Sequence, residues 1–277
     1  MSNLSVNLPF LSNRDPKSAK WDYGHVLLVA GSYGKMGAAV LAAKACLRSG
    51  VGLVTVHVPR RGVDIIQTAL PEAMVSIDDD DCRFTTLPAN LDRYDALAVG
   101  PAIGTDEQTC RALFALLETI PPSMPRVLDA DALNILASHP QALHLASGAV
   151  ISPHVNEYRR LFGDAEPQSM AEMHNLVIVK KGHISCVYAP SVSPMKIDKG
   201  NPGMATAGCG DVLTGVVAGI LAQYQAYSKQ HSMDAVSVQQ LAATAVEVHA
   251  LAGTKAAQYK SQASMIASDI VEQLMVP

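Results

Sequence analysis

The chain has 277 residues, 49% hydrophobic and 17% charged, which is apolar material for a large core and excludes a disordered chain. A formal net charge of −4 gives no sign of the basic face that a nucleic-acid partner favours, although a local anion site requires no such excess. The five cysteines (Cys46, Cys82, Cys110, Cys186 and Cys209) are widely spaced without a Cys-x-x-Cys pair, which argues against a disulfide framework or a zinc site and for reduced thiols in the cytoplasm.

Residues 1–20 are polar and carry no apolar run after a basic start, so they do not read as a signal peptide. No run of about eighteen apolar residues marks a membrane span. Residues 25–30 read as a buried strand, 31–37 (Gly-Ser-Tyr-Gly-Lys-Met-Gly) as a loop, 38–49 as an Ala/Leu helix closed by Gly50, and 51–58 as a second strand. Strand, glycine loop, helix and strand form one βαβ unit, which makes the strands parallel. The loop resembles a phosphate-binding P-loop only superficially, because Met36 follows Lys35 where Ser or Thr is required. The four aspartates at 78–81 are expected in a solvated loop.

Further apolar runs at 96–100, 126–128, 149–152 and 176–179 each precede polar or glycine residues, with helical periodicity at 107–119. Such alternation predicts an α/β fold, a mostly parallel central sheet with helices on both faces, spanning 1–277 as one domain. Ligands then gather at the carboxyl ends of the strands. Asp129 and Asp131 follow a strand end, where catalysis and turn-making are equally open readings, and Asn134 is expected to pack against that turn. Lys180, next to Lys181, points to the opposite face of its strand and is expected in solvent. Residues 212–227, 236–251 and 265–275 read as helices.

The most informative run is Asn201-Pro-Gly-Met-Ala-Thr-Ala-Gly-Cys-Gly-Asp211. Small residues fill a turn, and a helix starts at its end. The first amides of a helix lack intrahelical partners and sit at the positive end of its dipole, so the turn predicts a pocket for phosphate oxygens. Asp211 stands where an N-cap acid would stand, and a lone Gly-x-Gly-Asp is equally well explained as a cap.

The longer run, through Val212-Leu-Thr-Gly215, resembles the signature of the NAD(P)H-hydrate dehydratase family, a branch of the ribokinase-like kinases. Five further segments match in order: Gly31-Ser32 with Gly37-Ala38, Gly100-Pro-Ala-Ile-Gly104, Leu128-Asp-Ala-Asp-Ala-Leu-Asn134, Ser152-Pro-His-Val-Asn-Glu157 and Lys181-Gly-His-Ile-Ser185. The chain departs from the pattern at Cys209, where the family has a threonine-like residue, and at Ala102, where a glycine is frequent. The resemblance implies a ribokinase-like fold and nucleotide-driven removal of water from NADH hydrate and NADPH hydrate, with ADP favoured over ATP. It implies Asp211 as catalytic base; Ala38, Ala42, Gly104, His154 and Asp211 as hydrate contacts; and Lys181, Gly182, His183, Ile184, Ser185, Ala207, Gly208, Cys209 and Gly210 as nucleotide contacts. Mg²⁺ is expected at Asn156 and Glu157 through water. A homotetramer and functional pairing with a separate NAD(P)H-hydrate epimerase are further expectations. A ribokinase-like kinase of a small alcohol, or a non-catalytic nucleotide-binding protein, would share the anion pocket.

Overall fold

Every residue of β1 (His25–Val29) is buried, and its alternating side chains feed two separate cores. Val26 and Leu28 join one apolar cluster, whereas Leu27 and Val29 join another. In this computed structural model, which describes residues 8–11, 14–232 and 234–276, β1 pairs in parallel with β2 (Leu53–Val58) and β4 (Ala96–Val99). A nine-stranded sheet runs in the order β3-β2-β1-β4-β5-β6-β7-β8-β9. Its other strands are β3 (Met74–Ile77), β5 (Arg126–Leu128), β6 (Val150–Ile151), β7 (Val177–Lys180), β8 (Ser185–Ala189) and β9 (Val192–Ile197). Pairing is parallel up to β7 and antiparallel from β7 to β9. The expected mostly parallel α/β sheet is present; the terminal hairpin and the edge strand β3 were not read from the sequence, because short, half-exposed strands carry little periodicity.

Helices α1 (Met36–Arg48), α7 (Cys209–Gln230), α8 (Val238–Lys260) and α9 (Ala267–Glu272) contribute buried side chains to the first core. Helices α3 (Glu107–Thr119), α4 (Asp131–Ser138), α5 (Val155–Phe162) and α6 (Pro167–His174) contribute to the second, and α2 (Val63–Ala69) joins β2 to β3. Helix α7 is buried from Val212 through Gln223. Its Gly215 and Gly219 exist for close approach to α1: a Cβ on Gly215 would lie 2.1 Å from the Ala42 carbonyl oxygen, and one on Gly219 would lie 2.0 Å from Ser49 Oγ. Locking α1 to α7 fixes the start of one helix against the start of the other.

The acidic run is not wholly solvated as expected. Asp79 and Asp81 are exposed, but Asp78 is fully buried. Its carboxylate accepts from Thr85 Oγ1 (2.6 Å) and from the Thr85, Thr86 and Asp80 amides, and pairs with His57 Nε2 at 3.1 Å. Burial works against its charge, but the His57 and Thr85 hydrogen bonds more than offset it and hold its pKa well below the usual carboxylate range. This hub ties residues 78–86 beneath the first glycine loop, whose Tyr33 amide donates to the Cys82 carbonyl (2.8 Å). Lys180 also departs from expectation: its ammonium lies 4.9 Å from the Tyr158 ring centroid.

Candidate active site

The polar motifs leave the carboxyl ends of the parallel strands and of β9, which two antiparallel pairings return to the direction of β7, so the sheet brings them to one edge. The strand order reverses between β1 and β4. There the Gly31 amide donates to the Pro101 carbonyl (2.8 Å), joining the 31–37 and 100–104 loops. Ala102 holds a φ of 54°, a left-handed conformation that suits glycine, so the alanine is carried there at a cost of about 1–2 kcal/mol.

Next along the edge, β5 ends in a tight turn. Ala130 has φ 49° and ψ −117°, a strained conformation for a residue with a Cβ. Gly100 makes room for it: a Cβ there would lie 1.9 Å from the Asp129 carbonyl oxygen. Asp129 is buried (1% exposed); its carboxylate accepts from Lys181 Nζ at 3.0 and 3.4 Å and from Thr214 Oγ1 at 2.8 Å. Asp131 Oδ2 accepts the Gly104 amide (2.9 Å) and its Oδ1 accepts Asn134 Nδ2 (3.2 Å).

After β6, His154 is the N-cap of α5. Its Nδ1 accepts from the Asn156 and Glu157 amides (3.0 and 3.3 Å), and Glu157 Oε2 accepts the His154 amide in return (2.8 Å), a reciprocal capping box. With Nδ1 accepting, Nε2 carries the ring hydrogen, 3.4 Å from Glu157 Oε1. Lys181, just after β7, also lies 4.0 Å from Glu157. Burial opposes its charge, but Asp129 and Glu157 raise its pKa above the ordinary lysine value.

Helix α7 starts earlier than the sequence reading had it. Gly208, at φ 86°, is the N-cap, and no side chain caps the helix. Asp211 is therefore in the first turn and is not the cap. Among the described residues its carboxylate enters no hydrogen bond, so it is not consumed by its own helix. The Ala207, Gly208, Gly210 and Asp211 amides likewise donate to no acceptor among the described residues, while that of Cys209 reaches the Thr206 carbonyl at 3.4 Å. Burial, then the nearby Asp129 charge, push the Asp211 pKa up to about 6, against the pull of Lys181.

A cavity of about 840 Å³ opens beside this loop, within the range of small-ligand sites. Of the expected nucleotide residues, Lys181, Gly182, His183, Ser185, Cys209 and Gly210 line it; Ile184, Ala207 and Gly208 do not. His154 and Asn156 line it as well. Asp211 stands beside it, between the lining residues Gly210 and Leu213. Gly104 does not line it and is held by Asp131. Ala38 is partly exposed at the start of α1, whereas Ala42 has no exposed surface. Ala42 is thus corrected from a hydrate contact to a packing residue whose backbone is met by Gly215.

Residues 236–251 read only as an apolar helix, yet His249 of α8 lines the cavity with its Nε2 3.5 Å from Cys209 Sγ. Burial lowers the His249 pKa to about 4 and raises that of Cys209 to about 11, so both are neutral at pH 7. Thr214, Asn201 and Thr206 were also missed as individual site residues; a polar side chain inside an otherwise apolar helix is the signal that would have found Thr214 and His249.

The NAD(P)H-hydrate dehydratase family model matches residues 26–275. The chain belongs to this family. Relatives in the NAD(P)H-hydrate dehydratase family include the bifunctional NAD(P)H-hydrate repair enzyme of Coxiella burnetii, 33% identical over 97% of this chain and 53% of that protein. The chain spans about half the length of such bifunctional relatives. The ADP-dependent (S)-NAD(P)H-hydrate dehydratase of Listeria monocytogenes is 34% identical over 77% of each chain. Among solved structures, a ribokinase-like superfamily protein of Enterococcus faecalis superposes with a TM-score of 0.80 at 25% identity, covering 96% of this chain and 92% of its own. The ADP/ATP-dependent NAD(P)H-hydrate dehydratase of Bacillus subtilis, co-crystallised with ATP and Mg²⁺, gives 0.75 at 25% identity, covering 95% and 91%. The ribokinase-like fold expected from the sequence is thereby shown.

Proposed function

We infer that this chain returns the S-form of NADH hydrate and NADPH hydrate to the reduced dinucleotides, using ADP or ATP as phosphoryl donor. The observation that carries this reading is the Asp211 carboxylate, unpaired and raised to about 6, at the end of a loop of bare amides that opens on a nucleotide-sized cavity. Lys181, Gly182, His183 and Ser185 would hold the nucleotide, and the amides of residues 207–210 the oxygens of its terminal phosphoryl group. Ala38 and Gly104 would face the hydrate, and His154, which also lines the nucleotide cavity, would meet it where the two ligands adjoin.

The hydrate's hydroxyl oxygen attacks the terminal phosphorus while its proton passes to Asp211, and the shortened nucleotide leaves. The phosphate then departs with the C–O bond electrons, a proton is lost from the neighbouring ring carbon, and the ring double bond is restored. Alignment and charge stabilisation supply most of such a rate enhancement, and a general base at this pKa is matched to neutral pH.

The residues present fit Mg²⁺ only as an ion carried largely by phosphates. Glu157 offers one carboxylate beside the Asn156 amide, and no group of three acidic or sulfur/imidazole ligands converges among the described residues. When bound, the ion neutralises phosphate charge. The test is to offer enzymatically hydrated NADH with ADP and, in parallel, ATP, and to follow recovery of the reduced-nicotinamide absorbance. Recovery with either nucleotide supports the reading; no recovery, with turnover of a small alcohol instead, replaces it by a kinase.

A further inference from the structure

We propose that Asp129 and Asp131 are positioning residues that divide the site between them across the strained Ala130 turn: Asp129 aims Lys181 at the transferred phosphoryl group, and Asp131 shapes the Gly104 loop against the hydrate. The proposal rests on the repair reading above and assigns roles within it. Asp129 is too buried to touch a substrate, with 2% of its side chain exposed. It acts through Lys181, whose Nζ it holds at 3.0 Å and which lines the nucleotide cavity. The same ammonium lies 3.4 Å from where a Cβ on Gly210 would stand, so it faces the anion loop. Thr214 Oγ1 clamps the second Asp129 oxygen from α7 at 2.8 Å, tying the carboxylate to the helix that supplies the loop.

Two residues on, Asp131 makes no contact with Lys181. It accepts the Gly104 amide at 2.9 Å, and Gly104, at φ 88°, needs its fold fixed from outside. The backbone between the two carboxylates is over-determined. The Asp129 amide donates to the Val99 carbonyl and the Asp131 amide to the Gly100 carbonyl, while Gly100 leaves no room for a Cβ. A turn held this firmly, with Ala130 in a conformation alanine rarely adopts, keeps the two half-sites at fixed separation, which is the demand that in-line transfer makes.

The test compares Asp129→Asn, Asp131→Ala and Thr214→Val with wild type, measuring kcat, KM for the S-form of NADH hydrate, and ADP binding by calorimetry. Asp129→Asn is expected to lower kcat by about 10–100-fold without weakening ADP binding, because the freed lysine still meets phosphate but is no longer aimed. Asp131→Ala is expected to raise the hydrate KM by about 10-fold with ADP binding unchanged, having left the Gly104 amide without its acceptor. Thr214→Val should lower kcat by about 3-fold and add little to Asp129→Asn, since both act on one carboxylate; it also keeps the inference testable if Asp129→Asn does not fold. Losses of kcat and of both affinities in parallel, tracking a fall in Tm, would overturn the assignment, as would an Asp129→Asn enzyme with wild-type kcat. A wild-type protein that binds hydrate and ADP without turnover would remove the repair reading instead; calorimetric binding of the hydrate, measured beside that of ADP, then judges the division of roles, with Asp131→Ala expected to weaken hydrate binding alone and equal loss of both affinities overturning it.

Discussion

At the scale of single residues, the proposed chemistry centres on Asp211. A carboxylate raised from 3.8 to about 6 by burial and by Asp129 binds its proton more tightly in the folded chain than in the unfolded one. Its contribution to stability is therefore most favourable below the unfolded value and is lost as pH rises through about 6. Asp211→Asn removes that buried charge. It is expected to raise Tm at pH 8 by several degrees, equivalent to about 1–3 kcal/mol, with the gain fading towards pH 4, while lowering turnover by about 10²–10⁴-fold and leaving ADP binding largely intact. Thermal melts at the two pH values check the first half, and steady-state rates the second. In the wild-type enzyme, kcat/KM should fall as pH drops through about 6, as the base takes up its proton before it can accept one from the hydroxyl. A flat profile between pH 5 and 7 would show that another group is the base.

At the scale of elements, much of the molecule was legible because strong apolar strands and glycine loops alternate. The parallel strands from β1 through β7, other than β3, and helix α3 lie where periodicity put them, whereas α8, expected over 236–251, continues to Lys260. Helix α7 begins three residues before Val212, because Cys209 and Gly210 look like turn residues in the sequence but already carry helical backbone. Asp78 was misread because a run of four acids hides which one turns inward to His57 and Thr85; only three-dimensional pairing distinguishes it. The resemblance implied Ala42 as a hydrate contact, but the helix carries it to the face packed on α7. That packing is testable. Gly215→Val places a side chain on the Ala42 carbonyl and must force α1 and α7 apart, so a destabilisation of about 3 kcal/mol or more is expected from overpacking, measured as a lower midpoint in denaturant. Gly37→Ala, where no atom lies within 4 Å of a new Cβ, should leave that midpoint close to wild type.

At the scale of the whole molecule, the sheet's carboxyl edge is divided. In the proposed reading the switch point between β1 and β4 would face the hydrate and the cavity lined by the loops after β6, β7 and β9 would take the nucleotide, with the α7 N-terminus bordering that cavity. The ordered motifs made this arrangement legible as a family resemblance, but the side chains that bind the halves together were not. Thr214 and His249 sit inside helices whose pattern reads as core, and Lys181 pairs with Asp129 across 52 residues of sequence. Since ADP would bind the folded chain alone, saturating it at about 100-fold over its Kd should stabilise the protein by about 2.7 kcal/mol, seen as an upward shift in Tm of several degrees. An unchanged Tm would deny the cavity its nucleotide.

The most direct measurement is the stoichiometry of phosphate release. Incubated with ADP and the S-form of NADH hydrate, the enzyme should liberate one inorganic phosphate and one AMP for each NADH recovered; neither product should form when the hydrate is omitted, and both should form about 10²–10⁴-fold more slowly when Asp211 is changed to Asn. Recovery of NADH without nucleotide consumption, or phosphate release independent of the hydrate, would contradict transfer of a phosphoryl group to the hydrate at Asp211.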